Sequence, residues 1–332
     1  MMITRNDKVS TINDVAKEAD VSTATVSRVI NGSSRINVQT EKRVLDAMAK
    51  LNYSPNTIAR SLAKGHNDCI GFLLPDLNLP FWAKLAHEVE KCAKSHGWNV
   101  MISSAPKNLD DYYSAYNRLS GSMVSGIITT FIGGTADFIR ASKTPTVTIG
   151  SISECSHSIS SNDEQGGIFA TRHLISRGCR KIIHISGEML PERSSNERTY
   201  AFVKECEQHG IQYKLYETSL VDQVENNYTG VIGNVFYENT DFDGIFASND
   251  ILASICLSTA LSLGFQVPRD IKIVGYDDIP ISAMMYPPLT TIRQNYQKLS
   301  TLAVETVLNL INGIDVPMKQ QIPVELIVRG TT

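Results

Sequence analysis

The sequence predicts an α/β protein in two unequal parts. An N-terminal all-α helix-turn-helix headpiece precedes a large body of parallel sheets flanked by helices. Three observations carry this reading. The twenty residues Ile12–Asn31, INDVAKEADVSTATVSRVIN, have the spacing of two short helices joined by a tight turn. From Cys69 onward short β-rich runs alternate with amphipathic helical runs, which implies parallel strands with right-handed crossovers. Charge also divides unevenly. Residues 1–66 carry ten lysines and arginines against six acids, a net of +4, and the remainder carries 21 against 28, a net of -7. A basic end on an acidic body fits a nucleic-acid-binding module joined to a domain that is not one.

In the headpiece, Thr11 is placed to cap the first helix, with Asp14 as its capping-box partner. Val15, Ala16 and Ala19 give that helix an apolar face. Asp20 and Val21 form the turn, and Ser22 caps a second helix that buries Val26, Val29 and Ile30. Thr23, Ala24, Thr25, Ser27 and Arg28 are left for its outer face. Short polar residues at a helix start, with an arginine one turn on, suit a helix lying in a DNA major groove. Small side chains allow close approach, and arginine pairs with guanine or holds a phosphate. The same pattern serves an ordinary helical hairpin with a solvated face, and spacing alone does not separate the two.

After the turn Gly32-Ser33-Ser34-Arg35, Asn37 caps a third helix running to about Leu51, with Val44, Leu45, Met48 and Leu51 as its expected buried stripe. Pro55 is placed to begin a further short helix and Gly65 to end it, with Ile58 and Leu62 one turn apart. About eight residues of helix are too few to be stable alone.

At 332 residues the chain has room for two or three domains. Its six cysteines, at 69, 92, 155, 179, 206 and 256, form no C-x-x-C pair and read as reduced thiols, not as a disulfide frame or zinc site. The start MMITRNDKVST has no apolar core of a signal peptide, and no run approaches the roughly 18 apolar residues of a membrane helix. A cytoplasmic protein is expected, with no membrane, metal or cofactor partner.

The body's strands are expected at 70–74, 100–103, 126–130, 146–149, 181–185, 244–247 and 271–274. Helices are expected at 81–96, 109–119, 166–177, 196–209, 251–263 and 298–312. A stretch of about 265 residues is large for a single sheet, so two lobes are natural.

The run TINDVAKEADVSTATVSRVING, followed by TEKRVLDAMAKLNYSPNTIARSLAKG, resembles the headpiece of the LacI/GalR family of bacterial repressors. Further matches follow through nearly all of the chain. The resemblance implies a DNA-binding headpiece at 9–53, a hinge helix or linker at 54–65, and an effector-binding and dimerisation body at 66–332. That body is expected to resemble periplasmic sugar-binding proteins, with a first lobe of about 68–164 and 295–322 and a second of about 165–294 and 323–332. The family binds double-stranded operator DNA as a homodimer. The resemblance adds Asn31 and Tyr53 to the DNA contacts, and it puts Leu62, with Ala59 beside it, at the position that wedges into the minor groove.

Ligands of open α/β sheets bind beyond the carboxyl ends of strands. After the first strand comes Pro75-Asp76-Leu77-Asn78-Leu79-Pro80-Phe81-Trp82, where the family usually reads P-D-I-S-N-P-F-F. Leu79 replaces the usual Asn. Phe81 and Trp82 offer aromatic faces to a sugar or a flat base, and core packing is the alternative for both. The segment Ser195-Asn196-Glu197-Arg198-Thr199 matches the family's effector loop, with Arg198 at its ligand-binding arginine. Arginine's fixed fork of donors suits vicinal hydroxyls or a carboxylate. By the same resemblance Asn249 stands at a sugar contact, Asp277 at an acceptor position and Tyr296 at an aromatic contact; Asp76 belongs to the same set, and Asp250 is expected to cap a helix.

No G-x-S-x-G, G-x-x-x-x-G-K-[ST] or H-E-x-x-H occurs, and no G-x-G-x-x-G follows the first strand. An enzyme is therefore not expected. The expected function is a repressor of a carbohydrate-utilisation operon whose operator affinity is set by a small sugar or sugar phosphate. The alternative is a global carbon-catabolite regulator controlled by a phosphorylated protein partner, a class that lacks the arginine pattern around Arg198. The loop SNERTYAF is more similar to that of Gram-positive sucrose-type regulators than to that of the purine repressor.

Overall fold

The computed structural model describes residues 10–30, 36–54, 67–105, 108–122, 124–130, 134–154, 156–219, 222 and 228–332. The expectations for Asn31, the 32–35 turn, Ala59, Leu62 and the hinge helix lie outside the described residues. The chain divides into two compact units, Met1–Asn67 and Asp68–Thr332.

In the first unit, helices α1 (Ile12–Glu18), α2 (Thr23–Ile30) and α3 (Val38–Lys50) enclose a small core. The capping box forms: Thr11 Oγ1 accepts from the Asp14 amide at 3.4 Å, and Asp14 Oδ2 accepts from the Thr11 amide at 2.8 Å. Asp20 turns the chain through the left-handed region (φ 53°), which Asp tolerates better than most residues. Ser22 Oγ then accepts from the Thr25 amide at 3.1 Å and starts α2. Asn37 Oδ1 starts α3 by accepting from the Gln39 amide at 2.8 Å. Val15, Ala16, Ala19, Val26, Val29, Val44 and Ala47 form the core, with Ile30, Met48, Leu51 and Tyr53 packed around it. The stripe expected on α3 is corrected at one position: Leu45 is 51% exposed. The core-facing arc is Val44, Ala47, Met48 and Leu51, at 3/4 spacing, and Leu45 lies about 100° away from Val44.

The second unit holds two six-stranded sheets. The first contains β1 (Cys69–Leu74), β2 (Asn99–Ser104), β3 (Gly126–Thr130), β4 (Thr146–Ile149), β5 (His157–Ser161) and β11 (Lys319–Ile322), in the spatial order β11-β5-β4-β3-β1-β2, all parallel. The second contains β6 (Lys181–Ser186), β7 (Gln212–Glu217), β8 (Gly244–Ala247), β9 (Lys272–Asp277), β10 (Thr290–Arg293) and β12 (Glu325–Ile327), in the order β12-β10-β9-β8-β6-β7. Only β12 runs antiparallel to its neighbour.

The body's helices are α4 (Pro80–Ser95), α5 (Leu109–Gly121), α6 (Ala136–Ala141), α7 (Asp163–Ser176), α8 (Asn196–Gln208), α9 (Thr229–Glu238), α10 (Asp250–Ser262) and α11 (Tyr296–Ile311). The chain passes from the first lobe to the second after β5, returns through α11 after β10, and passes again between β11 and β12. Ile70, Phe72, Leu74, Ile128 and Val147 meet α4 and α11 in one core, while Ile183, Ile185, Ile245 and Ile273 meet α9 and α10 in another. The strand expected at 271–274 runs from Lys272 to Asp277. Its last residues are continuous with the cleft described next. Among the described residues no helix is long and apolar enough to cross a membrane.

Candidate functional site

A cavity of about 190 Å³ lies between the two sheets of the body. It collects the carboxyl ends of β5, β6 and β9, the start of α4 and the loop from Gly187 to Ser195. Its electrostatic centre is a buried ion pair. Arg198 Nε donates to Asp163 Oδ1 at 2.7 Å, with the side chains 10% and 3% exposed. Arg198 Nη1 donates to the Ser248 carbonyl at 2.7 Å, and the guanidinium lies 3.5 Å from the Tyr276 ring centroid. Burial opposes the charge on Arg198, but Asp163, Tyr276 and Asp277 more than offset it and hold its pKa above the ordinary arginine value. Asp163 also accepts from Ser194 Oγ at 2.7 Å and Tyr276 Oη at 3.0 Å. The pair can form because α7 carries two glycines, Gly166 and Gly167, placed against it. A Cβ at Gly167 would stand 2.6 Å from the Arg198 carbonyl oxygen, and one at Gly166 would strike the Tyr276 hydroxyl.

Asp277 closes the end of β9 at φ 109°, a left-handed conformation rare for a residue with a side chain. Its carboxylate faces the cavity and accepts from Gln294 Nε2 at 2.6 Å. Gln294 Oε1 in turn accepts from Ser161 Oγ at 2.6 Å, so one amide joins the end of a first-lobe strand to the end of a second-lobe strand. Burial pushes the Asp277 carboxyl up to about 8, against the opposing effect of Arg198. The neighbouring Asp278 points elsewhere. Burial raises its pKa, but bonds to Arg293 at 2.7 Å and Arg329 at 2.6 Å more than reverse this. The two aspartates are therefore not a carboxylate pair.

Arg198, Asn249, Asp277, Phe81 and Trp82 all line the cavity. Asp76 and Tyr296 do not, and these two expectations are corrected. Asp76 Oδ1 accepts from the Asn78 amide at 2.8 Å in the turn before α4. Tyr296 is buried behind Phe81, with ring centroids 5.3 Å apart, and its hydroxyl donates to the Asp277 carbonyl at 3.0 Å. It supports the wall from behind. Leu79, which replaces the usual Asn, is the uncapped residue before α4 and presents its side chain to the cavity. The cap of α10 is also corrected. Asn249 Oδ1 accepts from the Leu252 amide at 2.8 Å. Asp250 is instead fully buried, accepting from Ser282 Oγ, Thr291 Oγ1 and the Ile279 amide, and burial raises it to about 6.

Sequence reasoning passed over Asp163, Arg193 and Gln294. Asp163 reads as an acid before a helix, and its partner lies 35 residues away. Arg193 was visible as a second arginine in the loop that carries Arg198.

In the N-terminal unit, Ser22, Thr23, Ala24 and Arg28 are exposed, and Thr25, Ser27 and Tyr53 are half-buried. Ser22 is committed to capping. The exposed stripe of α2 is thus Thr23, Ala24 and Arg28.

Helix–turn–helix and two-sheet units of these two kinds, in one chain, define a ligand-responsive DNA-binding regulator. Residues 11–56 match the bacterial regulatory proteins of the lacI family, and residues 171–332 match the periplasmic binding protein-like domain. The chain is 31% identical to the ribose operon repressor of Halalkalibacterium halodurans, over 98% of this chain and 97% of that one. It is 33% identical to the ribose operon repressor of Bacillus subtilis, over 98% and 99%. A crystal structure of the lac repressor dimer bound to operator and the anti-inducer ONPF superposes with a TM-score of 0.87 at 28% identity, covering 98% of this chain and 99% of that one. The chain belongs to the LacI family of bacterial regulatory proteins. Its relatives are transcriptional repressors, not enzymes.

Proposed function

We propose that this protein represses a carbohydrate-utilisation operon in the cytoplasm, as a homodimer on operator DNA, under the control of a small sugar or sugar phosphate. The observation that carries the effector half of this reading is the cleft itself. An arginine fixed by a buried carboxylate, an acceptor at Asp277 and the aromatic wall of Phe81 and Trp82 converge on one small cavity. Such a set is suited to a polyol, with hydroxyls bonded at the edges and a C–H face on an aromatic ring. Names of relatives support the same class: two are ribose operon repressors. Neither is a sucrose-type regulator, and the proposal does not specify sucrose. For the DNA half, Thr23, Ala24 and Arg28 are assigned to base readout, and a dimer implies a near-palindromic operator.

The test is selection of duplexes by the full chain from a random pool, then binding titrations with and without ribose and other monosaccharides. The proposal expects a near-palindromic site and a sugar-dependent change in its affinity. Sequence-independent binding, or affinity indifferent to every sugar and sugar phosphate tried, counts against it. A response only to a phosphorylated protein partner would favour the global-regulator alternative.

A further inference from the structure

Two arginines face the cleft, and they differ in how they are partnered. Arg198 has Asp163 at 2.7 Å. Arg193, five residues earlier, donates from Nη1 to the Glu188 carbonyl at 3.4 Å, a distance at which a hydrogen bond is weak. Burial lowers the pKa of Arg193; the Glu188 carboxylate opposes this, and the Arg198 cation adds to the lowering. Two guanidinium groups thus share one small cavity while only one is matched by a contacting carboxylate. Like charges in a partly desolvated space repel, and an anion placed between them relieves both the repulsion and the lost hydration.

The backbone is built to hold Arg193 there. Glu192 adopts φ 60°, a conformation costly for a residue with a side chain. Flanking amides fix the bend: Ile152 N–H donates to the Glu192 carbonyl at 2.9 Å and Ser194 N–H to the Gly150 carbonyl at 3.0 Å. Arg193 itself bridges Ser151 of the first lobe. Immediately beyond it the chain turns into α8, whose first amides, of Asn196, Glu197 and Arg198, donate to the Arg193, Ser194 and Ser195 carbonyls at 3.2, 3.0 and 3.2 Å.

We infer that the cleft takes a monosaccharide bearing an oxyanion, a phosphate or carboxylate, which the Arg193 guanidinium binds while the Arg198 and Asp277 side holds the sugar hydroxyls. This rests on the effector reading above and narrows its ligand class. A planar guanidinium pairs with either oxyanion through two parallel bonds.

The test uses the full chain, as wild type, Arg193→Gln and Arg193→Lys. Calorimetric titrations compare ribose with ribose 5-phosphate, and glucose with glucose 6-phosphate and gluconate. The wild type should bind at least one acid form about tenfold or more tightly than its neutral parent, the step expected of one charge-assisted pair. Arg193→Gln should lose that preference, and Arg193→Lys should keep part of it with a fold known to tolerate a cation there. The phosphate and gluconate arms identify the oxyanion. Equal affinity for acid and parent forms, or a preference that survives in Arg193→Gln, overturns the inference. If no sugar of either kind binds, inorganic phosphate decides. Thermal protection of the wild type by millimolar phosphate over chloride at equal ionic strength, lost in Arg193→Gln, keeps the anion site and sinks the sugar reading. No protection sinks the anion site as well.

Discussion

Replacing Arg198 by Met should unfold more than a ligand contact. The substitution keeps the length and apolar stem of the side chain but strips Asp163 of its cation. Breaking a buried pair from one side typically costs about 3–5 kcal/mol, because the remaining charge is left uncompensated. Asp163 keeps two donors, Ser194 Oγ at 2.7 Å and Tyr276 Oη at 3.0 Å, which argues for the lower end of that range. The guanidinium's stacking on Tyr276, at 3.5 Å, argues back upward by about 0.5–2 kcal/mol. A net loss of about 3.5–5 kcal/mol follows, or roughly 7–20 °C in the body's thermal transition. The assay is urea and thermal unfolding of wild type, Arg198→Met, Asp163→Asn and the double variant. The double variant should recover about half of the loss of Arg198→Met, since it removes the stranded charge. If Arg198→Met stays within about 1 kcal/mol of wild type, or the two single effects simply add, the pair is not the centre of the cleft. The result also governs how ligand experiments are read, because a weakened response in Arg198→Met will mix lost contact with lost structure.

Three further outcomes are expected. Arg28→Ala should weaken binding to a selected operator by roughly 1–3 kcal/mol and relax the base preference at one position per half-site; unchanged selection profiles would remove Arg28 from base readout. Asp277, raised to about 8 in the fold from about 3.9 in the unfolded chain, keeps its proton in the native state over that interval. The contribution of this group to stability therefore falls as pH rises from about 4 to about 8. Asp277→Asn should flatten the part above about pH 6, where Asp250 no longer contributes, and urea midpoints across pH 5–9 that keep the wild-type slope would refute this. Finally, Gly167→Ala should cost about 1–3 kcal/mol by forcing α7 away from the Arg198 carbonyl, 2.6 Å from the added carbon. Unfolding midpoints equal to wild type would show that the two helices can part without loss.

Sequence legibility followed how local each feature is. The headpiece was readable because its caps are within three residues of what they cap: Thr11 with Asp14, Ser22 with Thr25, Asn37 with Gln39. Central strands such as β3 and β8 were readable because both faces are buried and the apolar run is continuous. The edge strand β7, the late strands β11 and β12 and the short α6 escaped, since each carries a half-exposed or interrupted pattern; β5 and β10 escaped because their buried runs are rich in Ser and Thr, and α9 escaped as well. In the cleft, Phe81, Trp82, Arg198, Asn249 and Asp277, each with a motif around it, were found, and they line the cavity. Gln294 was not, because its partners Ser161 and Asp277 come from strands of different sheets, 133 and 17 residues away. Tyr296 was misjudged for a related reason. Its position beside the cleft was legible, but only packing against Phe81 decides that its ring lies behind the wall.

The contacts that define the cleft also tie its two sides together, and this bears on control. Ser161, Gln294 and Asp277 form one bridge between the lobes. The Gly187–Ser195 loop forms another, since it follows a second-lobe strand yet bonds to Gly150 and Ile152 of the first lobe. A ligand shifts an equilibrium only by its differential affinity for the two arrangements, so a ligand held by one lobe alone does nothing, however tightly it binds. Asp277 and Arg193 are cleft residues through which a ligand meets those bridges. A hydroxyl bonded to Asp277 competes with Gln294 for the same carboxyl group, and an anion on Arg193 pulls on the loop that already spans the lobes. Each contact is therefore sensitive to lobe arrangement by construction. If operator affinity depends on that arrangement, operator DNA must change ligand affinity by the same factor that ligand changes operator affinity. Gln294→Ala, which cuts one bridge without touching either arginine, should then alter that shared factor in both measurements equally. A factor left at the wild-type value would separate the bridge from control of DNA binding.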